Sequence, residues 1–167
     1  MKMSVKLKNR HKLKSKNIRE IQIDIQKDFK DITISNSLSV VTGEYDGIKI
    51  ILINSEPCFF YYEKRLVFTL QGINRFKPKS KYVIVDMGAV KFVTNGADVM
   101  APGIIDVDKE ILENDIVWIC DEKNHKPLAV GFALISSSDM INQKKGKAIK
   151  IIHYVGDNLW NFVAKSL

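Results

Sequence analysis

The chain has 167 residues with 46% apolar and 27% charged residues, a composition that fits one or two small globular domains and excludes collagen, long disorder and a disulfide scaffold. Its formal net charge of +7 is unevenly placed: residues 1–19 carry eight of the 26 basic residues and no acid, which leaves 18 basic against 19 acidic residues elsewhere. Two cysteines, Cys58 and Cys120, are too few and too far apart for a zinc framework and point to a reducing compartment. The longest apolar runs are of strand length, so no membrane span is expected. The basic N-terminus lacks the apolar run of a signal peptide, and a cytoplasmic location is expected.

Residues 1–12, with Lys2, Lys6, Lys8, Arg10 and Lys12, read as a flexible basic arm suited to phosphate attraction. Ile18, Ile21, Ile25, Phe29 and Ile32 then recur at helical spacing, with Ser15 or Asn17 as cap and Glu20 closing a capping box. Ser37 to Thr42 and Ile48 to Asn54 read as strands around a five-residue loop bounded by Gly43 and Gly47. Cys58 to Tyr62 reads as another strand, and Leu66 to Phe76 as a short helix ending before Pro78. The Lys77-Pro78-Lys79-Ser80-Lys81 stretch marks a domain boundary, dividing the chain into residues 1–79 and 80–167.

Beyond it the texture changes. Tyr82 to Asp86 reads as a strand, and Met87 to Thr94 as a short helix stopped by Asn95-Gly96. Asp98 to Met100 reads as a strand entering the Ala101-Pro102-Gly103 turn. Asp115 to Cys120, Leu128 to Ile135 and Lys147 to Val155 read as strands, Ser136 to Asp139 as one helical turn, and Leu159 to Val163 as a last turn of helix. Short strands at this density predict a small barrel or sandwich.

Charge is segregated along the chain in three further blocks, two free of acid and one rich in it. Lys64 to Val85 carries six basic residues, and Met140 to Gly156 carries Lys144, Lys145, Lys147 and Lys150. Between them lies an acidic belt of Asp106, Asp108, Glu110, Glu113, Asp115, Asp121 and Glu122. Segregated charge makes a directional field, and its basic parts suit nucleic acid.

No phosphate-binding loop of the Walker type and no dinucleotide fingerprint occurs. His11, His125 and His153 stand apart, so no metal site is expected. Ser138, Asp139 and His153, or His153 with Asp157, are the residues an enzyme would use, but no nucleophile elbow accompanies them. Ser136 to Asp139 reads more simply as a helix cap, and Cys120 as core. The segment from Asp86 to Ile104 differs: Gly96 and Gly103 would let backbone approach a ligand, and amides exposed at such turns suit phosphate or base edges.

The run from Val85 to Val93, then Asn95-Gly96-Ala97, Met100 and Pro102-Gly103, resembles the signature of the PUA domain. With Ile152-His153-Tyr154-Val155-Gly156-Asp157-Asn158-Leu159-Trp160, it resembles the malignant T-cell-amplified sequence family, and the short lysine- and isoleucine-rich chain looks like an archaeal relative. The resemblance implies an α+β protein: a small N-terminal domain of a helix plus antiparallel strands, then a PUA-type β pseudo-barrel. It implies no catalysis and no cofactor. It implies RNA binding in translation, with rRNA or tRNA, the small ribosomal subunit and a separate initiation-factor-like protein as partners. The competing reading is an RNA-targeting accessory of a tRNA or rRNA modification enzyme; a pure protein-interaction module is a further alternative. The RNA-binding residues carried over are Lys91, Thr94, Asn95, Gly96, Ala97, Met100, Pro102, Gly103, Lys147 and Lys150. Trp160 and Phe162 are expected to close the barrel end as core rather than to stack on bases.

Overall fold

The computed structural model describes residues 6–166, so Lys2 lies outside the described residues. The described residues separate into two compact units: 6–78 with 161–166, and 79–160. The sequence places the second domain at 80–167, whereas residues 161–166 group with the first unit.

The first unit opens with β1 (Lys8–Lys12) and α1 (Ser15–Asp28), followed by β2 (Val40–Tyr45), β3 (Ile48–Ile53), β4 (Glu56–Tyr62), β5 (Arg65–Phe68) and α2 (Leu70–Phe76). The strands form one antiparallel sheet in sequential order. Part of the expected flexible arm is therefore ordered, since β1 pairs with β2 through His11 opposite Thr42 and Lys12 opposite Val41. All five β1 side chains are exposed, and its lysines and arginine discourage another chain from adding to this sheet edge.

Ile18, Ile21 and Ile25 bury the expected stripe of α1. Neither Ser15 nor Asn17 caps it; Lys14 stands at the N-cap with no side-chain bond. The helix ends at Asp28, and Phe29 turns into an aromatic cluster instead: its ring meets Phe68 edge-on at 5.0 Å, and Phe68 lies 4.6 Å from Phe59. Edge-on and tilted pairs like these add about 0.5–1.5 kcal/mol each beyond their buried area. The hairpin between β2 and β3 turns on Asp46 and Gly47 alone, both with positive φ (50° and 76°). The expected helix over Leu66 to Phe76 splits at Thr69, whose Oγ1 accepts from the Gly72 amide at 2.9 Å and donates to the Pro57 carbonyl at 2.7 Å.

The second unit contains β6 (Tyr82–Val85), α3 (Met87–Val93), β7 (Val99–Met100), a 3₁₀ turn (Ala101–Gly103), β8 (Ile104–Val107), β9 (Ile116–Asp121), β10 (Pro127–Ala133), α4 (Ser137–Gln143) and β11 (Lys147–Tyr154). Its sheet runs β7-β11-β10-β9-β6-β8, antiparallel except where β6 runs parallel to β9. Val83, Val85, Val117, Ile119, Ala129 and Ile149 alternate inward from the strands, with Val93 from α3 and Met140 from α4 sealing the core. A last helix, α5 (Asn158–Ser166), follows. Phe162 on it is buried and stacks on Tyr45 at 4.2 Å, so it belongs to the first unit's core rather than plugging the barrel.

Candidate nucleic-acid interface

Asp86 ends β6 and starts α3. Its carboxylate accepts from the Ala89 amide at 2.8 Å, and its own amide donates to the Gly103 carbonyl at 2.9 Å. Those two bonds hold the helix start against the 3₁₀ turn, and Gly103 fits there because a Cβ would stand 3.1 Å from that of Ala89. β7 returns alongside β11, with Met100 opposite Lys147. Between α3, β7 and the turn opens a cleft of about 620 Å³.

The cleft is mostly apolar. Ala89, Phe92, Val93, Ala97, Met100 and Pro102 line it, with Gly88, Val99 and Gly103 bringing backbone close. Phe92 is 56% exposed and Met100 is 47% exposed, which leaves a ring and a thioether standing in solvent. The polar lining is Asp86, Asp98 and Lys147. Asp98 accepts from the Ile151 amide at 3.0 Å and pairs with the Lys147 ammonium at 3.5 Å. Lys147 is 65% exposed at its side chain, so this ion pair is weak and parts at a cost of about 0–1 kcal/mol. Lys91 holds its ammonium 5.1 Å from the Phe92 ring centre.

Of the ten residues singled out in the sequence, Ala97, Met100, Pro102, Gly103 and Lys147 line this cleft. Lys91, Thr94, Asn95, Gly96 and Lys150 do not. Thr94 spends its hydroxyl on the Val90 carbonyl at 3.0 Å. Lys150 is exposed on β11, opposite Phe132 of β10. At the Gly96 turn the amides do not face a ligand, because they close the helix. Gly96 donates to the Val93 carbonyl at 3.0 Å and Ala97 to the Phe92 carbonyl at 3.0 Å, while Thr94 and Asn95 also donate back into α3. This is a Schellman ending with Gly96 in the left-handed conformation at φ 84°. Gly96 is required for a second reason: a Cβ there would stand 2.7 Å from the Tyr154 ring.

Phe92 is the residue the sequence reading missed. Its signal was present: Ala89 and Val93 continue the inward stripe of α3, and Phe92 falls off that stripe. A large aromatic residue on the wet face of a short helix is a binding candidate.

The residues an enzyme would use are committed elsewhere. His153 is buried, and its Nδ1 lies 2.9 Å from Asp157 Oδ2. Asp157 also accepts from the Tyr154 and Trp160 amides at 3.0 and 2.6 Å. Burial pushes its pKa up, but the bonds and charge from His153 and the two amides outweigh that and hold it below the ordinary carboxyl value. Ser136 caps α4 through the Asp139 amide, and Ser138 Oγ lies 3.2 Å from Ser136 Oγ. Cys58 and Cys120 are buried and their thiols are pushed up to about 12 by desolvation. Among the described residues no group of three or more His, Cys, Asp or Glu could hold a metal, and no helix is long and apolar enough to cross a membrane.

The PUA domain family matches residues 81–155, and a domain of unknown function, DUF1947, matches residues 9–76. A protein of Methanocaldococcus jannaschii described as uncharacterized is 39% identical over 160 residues, covering 95% of this chain and 99% of that one. Translation machinery-associated protein 20 of Eremothecium gossypii is 32% identical over 123 residues, covering 70% of this chain and 68% of that one. The chain belongs to the PUA-domain family that also includes the malignant T-cell-amplified sequence proteins. Its fold matches the crystal structure of a hypothetical protein from Pyrococcus horikoshii at a TM-score of 0.82 and 34% identity, over 92% of this chain and 99% of that one. The cleft lies wholly within the PUA-matched residues.

Proposed function

We propose that the protein binds single-stranded RNA in the α3–β7 cleft and works in translation, on tRNA or the small ribosomal subunit. The observation that carries this reading is an open apolar cleft of about 620 Å³ in which Phe92 and Met100 stand exposed beside a loosely paired lysine. Such a floor suits the flat face of an unpaired base, and stacking on an aromatic ring contributes about 1–3 kcal/mol per base. Asp86 and Asp98 keep phosphate off the floor and can accept hydrogen bonds from ribose hydroxyls or exocyclic amines. Phosphates running outside would meet Lys91, Lys147 and Lys150, with Thr94, Asn95 and Gly96 fixing the rim on which Lys91 sits.

A base inside a duplex cannot offer its face, so the cleft favours loops and strand ends. The translation assignment rests on the relatives, one of which is named for its association with the translation machinery. The basic residues Lys6 to Arg19 add sequence-independent attraction to RNA. The small ribosomal subunit and an initiation-factor-like protein are the partners this reading favours, with no catalytic step in this chain, in the cytoplasm. The test is binding to purified archaeal small subunits and to deacylated tRNA across a salt series, with the wild type and Phe92→Ala. Saturable binding that loses about tenfold or more in the variant supports the proposal. Preference for free tRNA, with a modification enzyme stably co-purified, replaces it with the accessory role. Equal binding by both proteins removes the cleft from the account.

A further inference from the structure

We propose that the face formed by β8, the loop after it and α4 docks a lysine- or arginine-rich segment of a protein partner through an apolar anchor. A second cavity, of about 450 Å³, opens there, lined by Ile105 and Val107 of β8 and Ile141 of α4, with Asp106, Lys109 and the Ser137–Ser138 start of α4 as its polar wall. Ile105, on its wall, is 48% exposed. The platform is braced. Ser137 donates its amide to the Ile111 carbonyl at 3.0 Å and its hydroxyl to the Lys109 carbonyl at 2.7 Å, and the Asn114 amide reaches the Ala133 carbonyl at 2.7 Å. A groove held this way loses little conformational freedom when filled.

The charge of this face selects the occupant. From Ile105 to Asp115 the chain carries five acids against one base, Lys109. Asp108 is engaged by the Lys81 and Glu110 amides, and Asp115 by the Lys81 ammonium. Asp106, Glu110 and Glu113 are exposed and hold no ion pair among the described residues. An anionic rim repels RNA and attracts cationic side chains, while the apolar centre supplies the holding contact. A second copy of this chain is a poorer fit, because much of its own basic stretch is already folded into β1 and α1. The inference is independent of the RNA cleft, which is built from other residues.

The test is fluorescence anisotropy of the full chain with a labelled 14-residue helical peptide of lysines with leucines at three- and four-residue spacing. One control peptide has serine for each leucine, and another has glutamate for each lysine. The expected result is salt-sensitive binding of the lysine–leucine peptide alone. Ile105→Ser and the double variant Asp106→Lys/Glu110→Lys should each weaken it by about fivefold or more. Because these residues are exposed, both variants should keep wild-type melting temperatures and wild-type RNA affinity. Unchanged peptide affinity in the variants would overturn the proposal, as would equally tight binding of the serine peptide. A wild-type dimer in sedimentation that Ile105→Ser dissociates would instead give this face to a second copy.

Discussion

Replacing Gly96 by Ala tests how the cleft rim is held. Two penalties add. The left-handed conformation at φ 84° costs a non-glycine residue about 1–2 kcal/mol. The new methyl would stand 2.7 Å from the Tyr154 ring, and overpacking of this kind costs about 1–3 kcal/mol more. The expected loss is therefore about 2–5 kcal/mol. With a mid-range urea slope of about 2 kcal/mol per molar, the unfolding midpoint should fall by about 1–2.5 M. Trp118 and Trp160 both lie in the second unit, so tryptophan fluorescence reports the transition that matters. Gly146→Ala is the control: its φ is 77°, but nothing stands within 4 Å of the added methyl, so it carries the conformational penalty alone. Adding Tyr154→Ala to Gly96→Ala should recover part of the difference. Equal midpoint shifts for Gly96→Ala and Gly146→Ala would refute the claim that Tyr154 packs against the Schellman turn.

Three further outcomes are expected. Phe92→Ala should leave stability within about 0.5 kcal/mol, since the ring is largely exposed, while RNA affinity falls; a large stability loss in urea unfolding would show the ring to be core. Asp157→Asn should destabilise the protein at neutral pH. Because the folded pKa of Asp157 is depressed, its contribution is present above the ordinary carboxyl value and disappears as pH falls through the folded value; urea unfolding between neutral and acid pH should show the variant converging on wild type, and a gap that widens with acid would contradict the sign. Cys58 and Cys120, with thiols pushed up to about 12, should react with a thiol reagent only as fast as the protein opens, and rapid native labelling would contradict their burial.

The sequence displays the fold wherever one pattern dominates. The stripe Ile18, Ile21, Ile25 and the apolar runs of β3, β4 and β9 could be read directly, because each buries one face or both. Where a residue does two jobs, the pattern misleads. Gly43 looks like a turn glycine, but it lies within β2, where a Cβ would stand 3.0 Å from the Leu7 Cβ. Thr69 looks like an ordinary member of a helix, yet it caps α2 and leaves Arg65–Phe68 to form β5. β8 went unread because Ile104-Ile105-Asp106-Val107 is short and mixed in polarity. The same distinction governs the cleft. Met100, Pro102 and Gly103 are visible through their motif, whereas Phe92 becomes a candidate only when the Ala89 and Val93 stripe of α3 is followed to the side it leaves to water. Amide orientation is not legible at all: Gly96 and Ala97 lose their donors to the helix end. The basic block from Lys64 to Lys81 likewise reads as a phosphate surface, but Arg65 is paired with Asp28, Arg75 with Glu56 and Lys81 with Asp115.

The central claim is that RNA enters the α3–β7 cleft, and the most direct test is a titration of deacylated tRNA into isotope-labelled full-length protein followed by backbone amide shifts. Saturable shifts centred on Gly88, Phe92, Ala97, Met100 and Lys147, lost in Phe92→Ala, are the expected result. Shifts confined to residues 6–30, with the cleft silent, would contradict it and leave the basic N-terminal stretch as the RNA contact.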